Sequence, residues 1–200
     1  MYTLYEMAQS GNCYKCRLAM RQLNIPFERV EVDLAAGEQY RDSFRHMNLN
    51  SKVPVLKISA TEALPESNAI LFFLAEHSEL MPQAALARAQ VMQWLFFEQY
   101  SHEPYIATVR FWKKFTANPE VWRADIARCM PKGEKALAVM NSHLGDHLFF
   151  VDNRYSIADI ALYAYTHVAE DGGYVLNRYP AVQAWLRRVE QTARYVPLSA

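Results

Sequence analysis

Net charge, long apolar runs and abundant cysteine are all missing from this chain. Its 200 residues carry 21 Lys and Arg against 21 Asp and Glu, so no basic field exists to gather nucleic acid or an anionic membrane surface. The longest apolar run, Ala69 to Ala75, is far shorter than the roughly 20 residues that cross a bilayer. The opening Met1-Tyr2-Thr3-Leu4-Tyr5-Glu6 has no charged leader followed by an apolar stretch, and a cytoplasmic protein is expected. Three cysteines are an odd number in a chain too long to need disulfide stapling, which agrees with a reducing compartment. Internal repeats and low-complexity tracts are absent as well. What is present is apolar content: 52% hydrophobic residues, enough for one sizeable core or two small ones.

The first part of the chain alternates strand and helix signals. Residues 2 to 7 are rich in strand formers and end at the turn Ser10-Gly11-Asn12. From Cys13 to Leu23, apolar side chains recur at Cys13, Cys16, Met20 and Leu23 as on one helix face, and Asn24-Ile25-Pro26 stops it. Phe27 to Val32 alternates as a half-buried strand, completing a βαβ unit. A polar helical turn over residues 37 to 47 precedes a third strand, Val53 to Ile58. Because proline cannot donate to a ladder, Pro54 predicts an edge position, and its setting suits a cis bond. Thr61 to Pro65 pairs back as a fourth strand although its turn lacks glycine, and Ser67 is expected to cap a helix running to about His77. This pattern describes a thioredoxin-like α/β domain over residues 1–78, with a linker at 79–84 around Leu80-Met81-Pro82-Gln83.

Residues 85–200 read as an all-α domain. The stretch 85 to 116 carries Val91, Met92, Trp94, Leu95, Phe96, Phe97, Tyr100, Tyr105 and Val109, more than one face of a surface helix buries. Either that helix is central or it has a second partner. Further helices are expected at 120 to 143, 157 to 169 and 180 to 193, the last opened by Pro180. Ser156-Ile157-Ala158-Asp159 has the form of a capping box, a structural motif, with Tyr155 and Ile160 placed for a hydrophobic staple.

Four short signals in the first domain carry the functional reading. Ser10-Gly11-Asn12-Cys13 opens the first helix, Gln39 follows, Lys52-Val53-Pro54 leads into an apolar run, and Glu66-Ser67-Asn68-Ala69-Ile70 opens another helix. Their order and spacing suit a site that holds a small thiol peptide by its backbone, its carboxylates and its sulfur. With the two-domain pattern, they resemble the cytosolic glutathione transferases, in particular bacterial serine-type members akin to the theta, zeta and nu classes, over essentially the whole chain. The resemblance implies that Ser10 faces the glutathione sulfur with Asn12 beside it, and that Gln39 and Lys52 meet the glycyl carboxylate. It further implies that Val53, before a cis Pro54, exchanges backbone hydrogen bonds with the cysteinyl part, and that Glu66 and Ser67 hold the γ-glutamyl end. Glutathione then enters as a substrate, with no metal, and the chain assembles as a homodimer. Tyr105, Arg110, Trp112, Tyr163 and His167 stand on helical segments that wall the second-substrate cleft in that family, although core packing explains the same residues.

The chain departs from the family pattern at Asn48-Leu49, where Asn-Pro is usual, and at Ser51, where glycine is common. Cys13-Tyr14-Lys15-Cys16 invites a redox reading. Its position speaks against that reading, because the nucleophilic cysteine of glutaredoxin-like proteins stands where Ser10 is, and both sulfurs fall on an apolar stripe. Cys13 touching glutathione stays open. A zinc set of Cys13, Cys16, His143 and His147 is disfavoured, since small zinc folds close such a loop within about twenty residues. The resulting expectation is a glutathione transferase that conjugates the thiolate to an electrophilic small molecule. The rivals are a glutathione-dependent disulfide reductase or isomerase and a non-catalytic transferase-like binding protein.

Overall fold

The computed structural model describes residues 1–200, which divide into two compact units, Met1–Met81 with Ala193–Ala200, and Pro82–Thr192. In the first unit, β1 (Tyr2–Glu6), α1 (Gly11–Gln22), β2 (Phe27–Glu31), α2 (Asp42–Arg45), β3 (Val55–Lys57), β4 (Ala63–Pro65) and α3 (Ser67–Ala75) follow one another. The sheet has the order β2-β1-β3-β4. β1 runs parallel to β2 and antiparallel to β3, and β3 runs antiparallel to β4.

Strand periodicity divides the sheet into two faces. Leu4 pairs with Leu56 in the ladder and both are fully buried. Glu6, on the same face, is fully buried against Arg17 of α1. The opposite face carries Val55 and Tyr5, which pack with Val32, Phe44 of α2 and Met47; Tyr5 meets Phe44 edge-on at 6.3 Å.

Several expectations change in detail. β2 is an exposed edge strand, and β3, which follows Pro54, is interior, bonded on both sides. Pro54 sits just before the ladder begins, so its missing N–H removes no rung. The cap of α3 is Glu66, and Ser67 is its first helical residue; the helix stops at Ala75. The last eight residues, expected within the helical domain, belong to the first unit. Arg17 donates to the carbonyl of Leu198, Arg29 to that of Ala200, Tyr14 to that of Val196, and Arg194 to that of Gln22. Glu6 pairs with both Arg17 and Arg29, which orients their guanidinium groups for the tail.

The second unit is helical: α4 (Ala85–Phe97), α5 (Glu103–Phe115), α6 (Arg123–Asp146), α7 (Ile157–Thr166) and α8 (Pro180–Glu190). The single helix expected over 85 to 116 is interrupted by a π turn at Glu98–His102, where His102 Nε2 lies 2.8 Å from Thr166 Oγ1 of α7. α6 ends at Asp146, one residue beyond Gly145. All ten residues of α7 are buried, making it the central helix of this unit. Gly133 of α6 admits the ring of Tyr174, which a Cβ there would strike. No helix is long and apolar enough to cross a membrane.

Candidate functional site

Ser10, Asn12, Glu66 and Ser67 stand where α1 and α3 begin. Ser10 has extended backbone and caps α1 by accepting from the Cys13 N–H at 3.3 Å. Capping uses a lone pair, so the hydroxyl proton of Ser10 remains available to donate. Asn12, in the first turn of α1, meets α3 through a 3.3 Å hydrogen bond between Ser67 Oγ and Asn12 Oδ1.

Glu66 stands at φ +72°, ψ 111°, a left-handed region that a non-glycine residue occupies at a cost of about 1 to 3 kcal/mol and that tends to mark ligand sites. Its carboxylate is exposed and engages no protein group, while the backbone N–H of Ser67 is one of the orphan donors at the start of α3. The Val53-Pro54 bond is cis. The register Val55↔Pro65 sets the segment before β3 beside the one after β4, and so Val53 and Pro54 beside Glu66 and Ser67. Val53 lies outside the ladder, and its N–H and C=O make no hydrogen bond within the protein.

Asn48 shapes the loop that delivers Lys52. Its Nδ2 donates to the Lys52 carbonyl at 2.8 Å, its Oδ1 accepts from the Asn50 N–H at 3.0 Å, and its carbonyl accepts from Ser51. Ser51 has φ +54°, which explains why glycine is common in its place. The Lys52 ammonium reaches solvent with no carboxylate partner. Gln39 is only 8% exposed; its Nε2 donates to Leu34, and its buried Oε1 has no partner in the protein. Leu34 and Val53 pack on the same cluster, which links Gln39 to the loop. The arrangement thus offers a hydroxyl donor at Ser10, an open peptide edge at Val53, a cation at Lys52, and a carboxylate beside helix-start amides at Glu66 and Ser67.

The cysteines play a different part. Cys13 and Cys16 are fully buried free thiols. Burial pushes Cys13 up to about 12, and burial followed by the neighbouring Cys13 raises Cys16 well above the ordinary thiol range, so both stay protonated. Cys13 Sγ accepts from the Met7 N–H at 3.4 Å, a contact within the core. His143 stacks on His147 and Phe150, and its Nε2 lies 3.1 Å from the Phe150 carbonyl.

The second-unit candidates each make packing contacts within that unit. Tyr163 is fully buried, stacked on His167 at 4.6 Å and edge-on to Trp185. His167 Nδ1 lies 2.8 Å from the Tyr163 carbonyl, and burial lowers its pKa to about 4. Arg110 is buried and bonds Asp171 at 3.0 Å. Trp112 stacks on Trp122 at 5.0 Å, and Tyr105 receives Lys132 over its ring at 5.1 Å.

Sequence reasoning missed Asn48 and Lys15. Asn48 registered only as a departure from the usual Asn-Pro. Lys15, fully buried in α1, has its Nζ 3.3 Å from Ser67 Oγ and 3.4 Å from Asn68 Oδ1. The available signal was a lysine three residues after Asn12 on a helix whose neighbouring positions are apolar.

Comparison with known proteins accords with this geometry. Residues 1–76 match the family model of the glutathione S-transferase N-terminal domain, and residues 110–192 that of the C-terminal domain. The crystal structure of a glutathione S-transferase from Pseudomonas fluorescens superposes with TM-score 0.98 at 47% identity, covering 100% of this chain and 99% of that one. A glutathione transferase family member from the same species, with two glutathione bound, gives TM-score 0.84 at 26% identity over 96% of this chain and 89% of the other. The disulfide-bond oxidoreductase YfcG of Escherichia coli is 28% identical over 94% of this chain and 90% of its own length. With both domain models matched and a near-complete overlap at 47% identity, the chain belongs to the glutathione S-transferase family.

Proposed function

We propose that this protein binds glutathione in its first unit and uses the thiolate to attack an electrophilic carbon of a second small molecule. The observation that carries the reading is the set of uncommitted groups where α1 and α3 begin: the Ser10 hydroxyl proton, the Val53 backbone, the Glu66 carboxylate and the Ser67 N–H. They complement a thiol, a peptide bond, an ammonium and a carboxylate in turn. Gln39 and Lys52 take the glycyl carboxylate, Lys52 with its ammonium and Gln39 with the Nε2 proton that its bond to the Leu34 carbonyl leaves over.

In this scheme the thiol proton passes to solvent as Ser10 donates to the sulfur. The thiolate forms the C–S bond while the leaving group departs with its electron pair. Of the candidates in the helical unit, Tyr105, Trp112 and His167 are half-buried, whereas Tyr163 and Arg110 are buried in that unit's packing. A second copy of the chain covers the exposed apolar side chains of α4, and three free thiols agree with a cytoplasmic setting.

A second reading is favoured by Asn12, an amide beside the sulfur position, and by likeness to a disulfide-bond oxidoreductase and to a structure holding two glutathione. There the first thiolate attacks a disulfide, releasing one thiolate and leaving a mixed disulfide, which a second glutathione resolves to glutathione disulfide. Titration calorimetry with glutathione, followed by turnover assays on an aryl halide and on a mixed disulfide, tests both. Conjugation of the halide supports the first reading, and reduction without conjugation replaces it with the second. No glutathione binding overturns both.

A further inference from the structure

The sheet face turned away from α1 is only partly covered. Tyr5 pairs with Val30 on one side and with Val55 on the other, and Lys57 stands two residues beyond Val55, so strand periodicity sets all four side chains on this face. α2 packs there through Phe44. Its four residues span roughly 6 Å, against roughly 17 Å for a five-residue strand such as β1. A cleft of about 460 Å³ stays open beside it, lined by Val30, Tyr5 and Lys57 from the strands and by Phe44, His46 and Met47 from α2 and the residues after it. That volume lies within the range of small-molecule sites, and no residue assigned to glutathione lines it.

Most of the polar groups around the cleft are already engaged. Both oxygens of Glu31 accept from the Ala8 N–H, at 3.0 and 3.1 Å, and Glu38 holds Arg41 at 2.9 Å and the Asp33 N–H at 2.9 Å. His46 Nδ1 lies 2.6 Å from the Asp42 carbonyl. The Lys57 ammonium and the Tyr5 hydroxyl, by contrast, make no hydrogen bond or ion pair within the protein. Tyr5 and Lys57 are diagonal neighbours on adjacent strands, close enough to converge on one anion, the first as a neutral donor and the second as a charged one. We propose that this cleft binds a small amphipathic carboxylate, a monoanion with an aryl or short alkyl body. Its carboxylate lies on Lys57 and Tyr5, and its body lies on Val30, Phe44 and Met47. The site is separate from the one assigned to glutathione and stands whether or not that reading does.

The probe is 4-phenylbutyrate, titrated into the full chain by calorimetry with S-hexylglutathione present to fill the glutathione site. A Kd of about 0.1 to 1 mM is expected for a ligand of this size. Lys57→Met keeps the aliphatic stem and should weaken binding about tenfold, whereas Tyr5→Phe keeps the ring on Phe44 and should weaken it about threefold. Val30→Glu, on the exposed edge strand, sets a like charge in the cleft and should remove measurable binding. 4-Phenylbutylamine has the same body with the opposite charge and should bind at least about tenfold more weakly than the acid. Binding that survives both Lys57→Met and Val30→Glu overturns the proposal. So does an amine held as tightly as the acid, or no uptake of the acid below about 10 mM. If Lys57→Met does not fold, Val30→Glu and the amine decide between them.

Discussion

The indole N–H of Trp185 donates to Oδ1 of Asp159 at 2.9 Å, joining α8 to the first turn of the central helix α7. Asp159 also accepts from the Phe150 N–H, the Ser156 N–H and the Ser156 hydroxyl, all buried, so the capping box is also the anchor of its surroundings. Ser156→Ala removes a cap and should lower stability by about 0.5 to 2 kcal/mol. Asp159→Ala strands several buried donors together and should lower it by about 3 to 5 kcal/mol. Denaturant melts of the two variants check the order; equal losses would reduce Asp159 to an ordinary cap.

Much of this architecture could be read from residue pattern. The capping box, the βαβ unit and the cis bond before Val55 depend on side chains near one another in sequence, and the structure contains all three. Elements set by tertiary context escaped. The π turn at Glu98–His102 arises where His102 bonds Thr166, 64 residues away, a contact no local periodicity encodes. The C-terminal strap depends on Glu6 aligning Arg17 and Arg29. Pro54 suggested an edge because a proline inside a ladder is excluded, yet it stands one residue before the ladder starts. In the site, the residues with unused hydrogen-bonding groups were legible by motif. Lys15 and Asn48, which hold those residues from beneath, were not.

The loop before β3 gives a backbone prediction. Ser51 lies at φ +54°, where a Cβ is crowded and a β-branched side chain more so. Ser51→Gly should therefore hold or slightly raise stability, whereas Ser51→Val should lower it by about 1 to 2 kcal/mol. Thermal melts decide this, and a Val variant as stable as wild type would show that the loop rearranges.

Acid should act through His167. Burial lowers its folded pKa to about 4 from the ordinary 6.5. Between those values the unfolded chain binds a proton that the folded chain refuses, so stability is lost as pH falls through that window and is complete above it. The full loss is roughly 3 kcal/mol. Burial pushes the Asp159 carboxyl up to about 7, which acts in the opposite sense over the same range, so the His167 share is read by difference: between denaturant melts at pH 7.5 and 4.5, His167→Phe, which keeps the stack on Tyr163, should change in stability by about 3 kcal/mol more favourably than wild type. Equal slopes would assign the acid sensitivity elsewhere.

α4 exposes Leu86 and Phe96, and the π turn after it exposes Tyr100, 72%, 65% and 85% accessible, while Val91, Trp94 and Leu95 face the core. Covering such a patch with a second copy explains a helix apolar on two sides. Light scattering at micromolar concentration should give twice the 23.1 kDa chain mass, and Phe96→Glu with Tyr100→Glu should halve it. A wild-type mass near that of one chain removes the dimer.

Ser10 carries the sharpest prediction. A free thiol with pKa about 8.5 is only a few per cent thiolate at pH 7, and lowering it by two units requires about 2.7 kcal/mol. One hydroxyl hydrogen bond to an anion supplies about 1.5 to 3 kcal/mol, and the amides opening α1 add roughly 0.3 to 1. Ser10 is placed to give that bond because its lone pair, and not its proton, caps the helix. Ser10→Ala should raise the midpoint of the bound thiol and cut turnover with an activated aryl halide. Glutathione affinity should stay nearly intact, since Gln39, Lys52, Val53, Glu66 and Ser67 still hold the peptide. Loss of the cap should lower stability by about 0.5 to 2 kcal/mol, and Ser10→Gly, which restores most of that cap, separates the two effects. If both variants titrate like wild type and turnover persists, the activating donor is the Asn12 amide and not the Ser10 hydroxyl.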